Sequence, residues 1–424
     1  MQRRSFLKGC CVGIAAFQST HLSNLVFASP TAAAPAAGRD VVLSIFLRGG
    51  IDGLSLLVPH SDANYHQARP RLGLATNQVL DINGQFGFHP SAAGLKELMD
   101  NNDLAVVCAA GSTDPTRSHF EAQDYMERGK PGDGSYNGGG WLARYLSGLG
   151  PSGKIFTGLS LGSSVSVALE GYGDALALSD AEDFTLSGTG DHRDDLRRSL
   201  RTMYAADPHL GGVVRRTLDA GDIIDRADPG DYVPTAGVTY PDTDFARSLA
   251  NLAQIIKLDL GLQAATIDTG GWDTHESQAD GNRVGGNFAN LVTTLSAGLH
   301  AFWRDMANYH QRLSVVVMSE FGRRLRENDN RGTDHGHGNI MMVLSGNVLD
   351  GKVYGQWPGL ANDQLFENND LQVTTDFRTV LAELMQARLG VSDLSPLFPG
   401  FTYPGRLGIF APPSVRAPHG MVLR

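Results

Sequence analysis

The stretch VVLSIFLRGGIDGLSLLVP, residues 41–59, opens on a short apolar run from Val41 to Phe46 and then breaks into a glycine-rich loop carrying Asp52. A run of that length without polar alternation is the pattern of a strand covered on both faces. The same form recurs in LAVVCAAG (104–111), QAATIDTGG (263–271) and LSVVVMSEFG (313–322), each giving way to a polar loop. Between these runs, apolar residues recur at spacings of three and four over 92–99, 120–126, 245–258 and 288–309, the period of amphipathic helices. Buried strands separated by helices predict an α/β protein, a three-layer α/β/α sandwich around a mainly parallel central sheet. In such folds the functional site lies outside the carboxyl ends of the strands.

The chain has 424 residues and is 42% apolar, enough for one large core or two smaller ones. Its formal charge of −10 comes without a clustered Lys/Arg stripe, which argues against a nucleic-acid partner. A small anionic substrate would then need a local positive site, a metal or an arginine. Residues 39–424 read as a single α/β domain. Within it, the stretch 176–245 loses the strand rhythm and turns charged and helical, which suits a cap or insertion over the sheet edge. GDGSYNGGGWLARYL (132–146) ends in a short helix beginning near Trp141, and its glycines lack the strand context of a dinucleotide fingerprint. The Pro- and Gly-rich segment after Leu389 wraps the surface or ends as a loose tail.

In QRRSFLKGCCVGIAAF (2–17), Arg3 and Arg4 precede Ser5, Phe6, Leu7 and Lys8. The apolar run that follows is roughly a dozen residues, short of the about 20 that a membrane-spanning helix needs. This resembles a twin-arginine export signal, an address and not part of the fold, running to residue 38 with a cleavage point after Ala28. It predicts folded export through the twin-arginine translocase to the periplasm or beyond, with no stable membrane anchor. Removal would take Cys10 and Cys11 and leave Cys108 in a buried-strand pattern with no disulfide partner. Folded export often follows cofactor loading, which directs attention to metal ligands.

The loops supply them. Asp52 follows the first apolar run, Asp273 and His275 lie in DTGGWDTHE after the third, Glu320 in SEFGRR after the fourth, and Asp334, His335 and His337 in GTDHGHG (332–338). This carboxylate and imidazole set suits a divalent ion, zinc in the first place, with manganese, iron or calcium as others. Seven ligands exceed what one tetrahedral ion requires; two ions, or one with carboxylates behind the histidines, would use them. Each residue has a quieter reading: Asp52 as a turn residue, Asp273 and His275 as a loop pair, Glu320 as the partner of Arg323 or Arg324, DHGHG as a glycine-rich turn. What joins them is that all fall where strands would end.

The loop after LAVVCAAG, STDPTRSHFEAQDYMERG, places Ser118 ahead of an amphipathic helix with Glu121 three residues on. That is a capping box. The same geometry sets a hydroxyl at a helix N-terminus, whose positive dipole end and free N–H groups suit an anionic ester. Arg117 would grip two oxygens of the anion, and Thr116 and Thr113 are rival hydroxyls.

Taken in order, an Asp after the first strand, a hydroxyl at a helix N-terminus, an Asp/His loop, an acidic residue after VVVMS and a distal histidine resemble the alkaline phosphatase and sulfatase superfamily. MSEFG is similar to its SDHG strand-end motif, and TDPTR to the sulfatase pattern of nucleophile, any residue, Pro, Ser/Thr, Arg. The combination LRGGIDGL, RSHFEAQDYME, GGWDTH, SEFGR and GTDHGHG more closely resembles a broad bacterial family of exported sulfatase-like proteins of largely unassigned activity, over nearly all of residues 41–390. The resemblance implies one metal position at Asp52, Ser118 and Glu320, and another at Asp273, His275 and one or both of His335 and His337. Glu320 and Phe321 stand where the superfamily has Asp and His, so either His119 supplies the missing imidazole or that position is lost. If TDPTR sets the register, Thr113 takes the nucleophile slot, with no cysteine to become formylglycine.

The implied activity is an exported, metal-dependent hydrolase of a phosphate or sulfate ester. Metal polarises the ester and activates Ser118 or a water, Arg117 and the helix N-terminus stabilise the developing charge, and His119 protonates the leaving group. Two other readings stand against it: a non-catalytic binding or assembly protein that keeps the fold, and metal-dependent oxidation at a facial set of His275, His335 and Glu320.

Overall fold

Each of the four apolar runs forms a strand in the computed structural model, which describes residues 40–150, 156–179, 192–208, 210–227 and 232–411. The expected twin-arginine signal with its cleavage point, and part of the expected helical insertion, lie outside the described residues. In chain order the strands are β1 (Val41–Leu47), β2 (Leu57–Val58), β3 (Leu80–Asp81), β4 (Gly87–Phe88), β5 (Leu104–Gly111), β6 (Gly158–Leu161), β7 (Ala175–Ala177), β8 (Ala264–Thr269), β9 (Leu313–Met318), β10 (Asn339–Ser345), β11 (Val353–Tyr354) and β12 (Thr375–Asp376). A nine-stranded sheet runs β11-β5-β10-β9-β1-β8-β6-β7, with β12 also paired to β5, while β2, β4 and β3 make a small separate sheet. Every pairing in the large sheet is parallel except the two made by β10, which lies antiparallel to both β5 and β9.

Side chains alternate across the sheet with period two, and β1 shows what each face meets. Val41, Leu43, Ile45 and Leu47 join one core with Leu95, Leu249 and Leu299, from the helices Ala93–Asp100, Asp244–Lys257 and Asn287–Asp305. Val42 and Phe46 join the other with Met126, Leu142 and Leu381, from the helices His119–Arg128, Trp141–Gly148 and Phe377–Leu389. Helices therefore cover both faces, which makes the three-layer sandwich. Burying each such aliphatic side chain favours the fold by about 1.5–3 kcal/mol, and burial on both faces is why these strands carry no polar alternation.

In the charged stretch, the helices Arg193–Tyr204 and Gly211–Ala227 are tied by Arg197 to Asp222 and by Arg201 to Asp219 and Asp222. After Leu389 the chain wraps the surface: Phe398, Ile409 and Phe410 are buried, and the buried Glu383 carboxylate accepts from the N–H groups of Leu407, Gly408 and Phe410. Cys108 is buried within β5 as a free thiol, its pKa pushed up to about 11 by burial. Among the described residues, no helix is long and apolar enough to cross a membrane.

Beyond β1 the chain turns through Gly49 (φ +116°) and Gly50 (φ +68°), a left-handed pair that other residues rarely adopt. A Cβ on Gly49 would stand 2.6 Å from the Asp273 backbone nitrogen, and one on Gly50 2.6 Å from the Phe321 ring. This tight turn brings the end of β1 against the loops that follow β8 and β9.

Candidate metal centre

The strands β1, β5, β8 and β9 end at one edge of the sheet, and β10, running the other way, begins there. GTDHGHG thus reaches this edge by leading into a strand, where the sequence pattern placed it after one. Its residues pair with the loop leaving β9: Gly322 N–H donates to the His337 carbonyl (2.9 Å), Gly336 N–H to that of Gly322 (2.8 Å) and Arg324 N–H to that of Asp334 (2.9 Å). The three glycines serve close approach. A Cβ on Gly332 would lie 2.2 Å from the His275 carbonyl carbon, one on Gly336 2.4 Å from that of Arg323, and one on Gly338 2.5 Å from the Leu371 oxygen.

Three loops and one helix N-terminus converge here. Ligand atoms of His119, Asp273 and His335 all lie within 4.8 Å of one another. His275 joins them: its Nε2 is 2.9 Å from His335 Nε2, and both are 3.1 Å from Asp273 Oδ1. His119 Nε2 stands 3.5 Å from Asp273 Oδ2.

Each imidazole is anchored through its other nitrogen. His119 Nδ1 meets Glu320 Oε1 at 2.8 Å, His275 Nδ1 meets Asp334 Oδ1 at 3.1 Å, and His335 Nδ1 meets the Arg117 carbonyl at 3.0 Å. Carbonyls and carboxylates only accept, so each Nδ1 donates and each Nε2 is left with a bare lone pair. In this tautomer the His275–His335 contact has no proton to share. His119 Nε2 is buried with no hydrogen-bond partner. Three imidazole lone pairs turned on one carboxylate fit a divalent cation, with Glu320, Asp334 and the Arg117 carbonyl as the outer groups that fix ring orientation.

Electrostatics favour the same state. Burial alone would raise the Asp273 pKa, but the Arg323 guanidinium, which donates to it at 2.5 Å, holds it at about 2. Burial opposes ionisation of Glu320 as well, and the bonds it accepts from His119, Gln123 and the Gly49 N–H keep it below the usual range. Asp334 is lowered by Asn328 and then by His275. Burial lowers His335 and so favours its neutral, ligating form, whereas the Glu320 hydrogen bond raises His119. Asp273 and His275 are nearly half exposed, at 47% and 43%, so the cluster opens to solvent. Phe321 closes the inner side, its ring 4.9 Å from His119 and 4.8 Å from His335.

The other expected site residues lie elsewhere. Asp52 is fully buried and occupied by Arg69 (2.6 and 3.0 Å), Ser55 (2.6 Å) and Gln278 (2.7 Å). His337 stacks on Phe366 at 4.1 Å, and burial, followed by the nearby Arg117 charge, pushes its pKa down to about 4. Glu320 does not pair with Arg323 or Arg324 on the surface; it is buried behind His119. Ser118 is the N-cap of the helix His119–Arg128 but makes no side-chain bond into it, and the other half of the capping box is unmade too, since Glu121 accepts from Thr116 Oγ1 (2.6 Å). Ser118 therefore sits between Arg117, whose carbonyl holds His335, and His119. The Arg117 guanidinium is taken by Asp370 (2.5 Å) and Glu367 (2.7 Å), and Thr113 is exposed.

Four residues of the arrangement were not among the expected site residues: Arg69 and Gln278, which fall in no motif, and Gln123 and Arg323, which lie within RSHFEAQDYME and SEFGR. Gln123 had a readable signal, since it lies one helical turn from His119 on the same face. Arg323 is wholly buried and donates to the carbonyls of Gly50 and Thr333 (2.6 and 2.7 Å) as well as to Asp273.

Several solved structures are similar to the chain. They include a lipoteichoic acid synthase, LtaP, from Listeria monocytogenes (11% identity, TM-score 0.33, 75% of this chain and 68% of that one). A phosphonate monoester hydrolase of Agrobacterium radiobacter gives 12% identity and a TM-score of 0.35 over 87% and 79% of the two chains. A sulfatase from Pseudoalteromonas gives 13% and 0.33 over 74% and 64%. At this level of likeness the activities of those proteins do not transfer. No curated protein matches the sequence. Residues 39–396 match the family described as Protein of unknown function (DUF1501), and the chain belongs to that family.

Proposed function

We propose that this protein is an exported, metal-dependent hydrolase of a phosphate or sulfate ester, with His119, Asp273, His275 and His335 holding the metal and Ser118 as nucleophile. One observation carries the reading: three histidines, each pinned at Nδ1, turn bare Nε2 atoms onto one partly exposed carboxylate. These residues would hold a divalent ion, zinc, manganese or iron, which would supply Lewis-acid polarisation of an ester oxygen. The protein's own groups do the rest. Ser118 keeps its hydroxyl free of the helix it caps, and the first turn of that helix offers its dipole to developing negative charge. Arg117, expected to grip the anion, is instead held by Asp370 and Glu367, and its part is to present its carbonyl to His335. The paired N-terminal arginines support export by the twin-arginine route to the periplasm or beyond, and the order of motifs along the chain supports the ester class.

The test is elemental analysis of the full-length protein beside a His275→Ala, His335→Ala variant, followed by turnover of aryl phosphate and aryl sulfate esters. The reading expects metal in the wild type alone and metal-dependent turnover that Ser118→Ala abolishes. Metal without turnover of either ester would replace the hydrolase with a binding protein that keeps the fold, a reading the occupied Arg117 guanidinium favours. Absence of metal from both proteins would end the proposal.

A further inference from the structure

We infer that the centre holds one metal ion per chain, because the second position implied by the motif order is filled by the protein's own hydrogen-bond donors. The inference rests on the metal reading above and concerns Asp52 and Glu320, the two carboxylates assigned by resemblance to the other position.

A carboxylate has about four lone-pair directions to offer. At Asp52, Oδ2 accepts from Arg69 (2.6 Å), Ser55 (2.6 Å) and Gln278 (2.7 Å), and Oδ1 accepts from Arg69 (3.0 Å). At Glu320, Oε1 accepts from the Gly49 N–H, His119 and Gln123, all at 2.8 Å, and Oε2 lies 2.9 Å from the Ser319 hydroxyl, which has one proton for it and for the Leu47 carbonyl at 2.6 Å. Both side chains are buried, so neither has a face turned to solvent through which an ion would enter.

The donors cannot readily give way. Arg69 has no exposed side-chain surface and also donates to the carbonyls of Leu325 (2.8 Å) and Arg324 (2.9 Å). Withdrawing its guanidinium to admit an ion would leave a charge buried without a partner, the costliest defect a core can hold. Gln278 is likewise committed, its Oε1 accepting from Thr274 and Thr333 at 2.9 Å. At Asp52 a fixed guanidinium stands where a metal would, and supplies the positive charge itself. At Glu320 the ion's share falls to His119, whose Nδ1 takes the carboxylate while its Nε2 faces the centre.

The arrangement is tested by metal counting with Zn(II) or Co(II) alone as the probe. Full-length protein is loaded to saturation and counted by elemental analysis and native mass spectrometry, beside His335→Ala and an Asp52→Asn, Arg69→Gln double variant. The double change removes both buried charges together, which avoids an unpaired one. One equivalent in the wild type, retained in the double variant and lost in His335→Ala, is the expected result. Two equivalents in the wild type would overturn the inference and leave the histidine centre standing. One equivalent that the double variant loses and His335→Ala keeps would overturn both. No equivalent in any protein would likewise end both, and the wild-type count decides even if a variant fails to fold.

Discussion

Gly336→Ala tests the close approach on which the centre depends. A methyl group at this position would lie 2.4 Å from the Arg323 carbonyl carbon, 2.6 Å from its oxygen and 2.7 Å from the Arg324 nitrogen, where ordinary contact begins at 3.4 Å. The shortfall is about 1 Å, and the opposing atoms are backbone, so no side chain can turn aside. Arg323 is fixed by its bonds to Gly50, Thr333 and Asp273, and the two segments are laced by the Gly336–Gly322 and Arg324–Asp334 bonds. Overpacking of this kind costs about 1–3 kcal/mol, and losing one lacing bond adds roughly 1 kcal/mol. The expected destabilisation is therefore about 2–4 kcal/mol. His335 is the next residue, and a shift of about 1 Å far exceeds the ±0.2 Å tolerance of metal–ligand distances, so metal affinity should fall by at least the roughly 10–100-fold seen when outer-shell support is lost. Urea unfolding in the presence of chelator measures the first effect, and competition with a chromophoric chelator the second. Gly148, with nothing within 4 Å of its Cβ position, is the control, and Gly148→Ala should be neutral or stabilise by up to about 1 kcal/mol. A Gly336→Ala protein within about 0.5 kcal/mol of wild type and with unchanged metal affinity would refute the reasoning.

Replacing Asp52 alone by Asn, or Arg69 alone by Met, should cost about 3–5 kcal/mol in urea unfolding, since each leaves a charge buried without its partner, while the double replacement costs less than the sum; additive effects would count against the pair. Ser118→Ala should change stability by less than about 0.5 kcal/mol, below the ~1 kcal/mol usual for a lost N-cap, because its hydroxyl caps nothing; a full cap penalty on thermal melting would contradict this. His89 is buried, accepts from the Ser91 N–H through Nδ1, and has its pKa lowered by burial to about 4. Between pH 6.5 and 4 the unfolded chain binds a proton there that the folded chain refuses, so this contribution to stability is present above pH 6.5 and is lost as pH falls through 4. The loss amounts to roughly 3 kcal/mol. His89→Asn keeps an acceptor for Ser91 and should flatten that limb of the stability profile; an unchanged slope would show that His89 does not titrate in this window.

Much of this was legible in the sequence, for reasons that differ by residue. β1, β5, β8 and β9 announced themselves because burial on both faces removes polar alternation. β10 did not, although NIMMVLS is as apolar as the rest: its place between β5 and β9, and its reversed direction, are set by pairings with residues far away in the chain. β6 and β7, of four and three residues, are too short for any periodicity. At the site, Asp273, His275, Asp334 and His335 were readable because chain position alone brings them to the sheet edge. Asp52 shares that position yet serves another end, since a carboxylate does not reveal whether an ion or a guanidinium will meet it. The glycines of GTDHGHG would suit a turn as well as a ligand loop; in the fold they stand where backbones touch on three sides.

The reversed strand has a mechanical meaning. The backbone hydrogen bonds of the large sheet divide into two blocks, β11, β12 and β5 on one side and β9, β1, β8, β6 and β7 on the other, sewn together by β10 alone. His119 hangs from the first block, Asp273 and His275 from the second, and His335 from the stitching strand itself. An ion bound by all four would be a rivet through that seam. At a thousandfold excess over its dissociation constant such an ion would add about 4 kcal/mol of cohesion. Amide exchange along β10 should slow on metal loading, making the middle of the sheet a gauge of whether the site at its rim is filled.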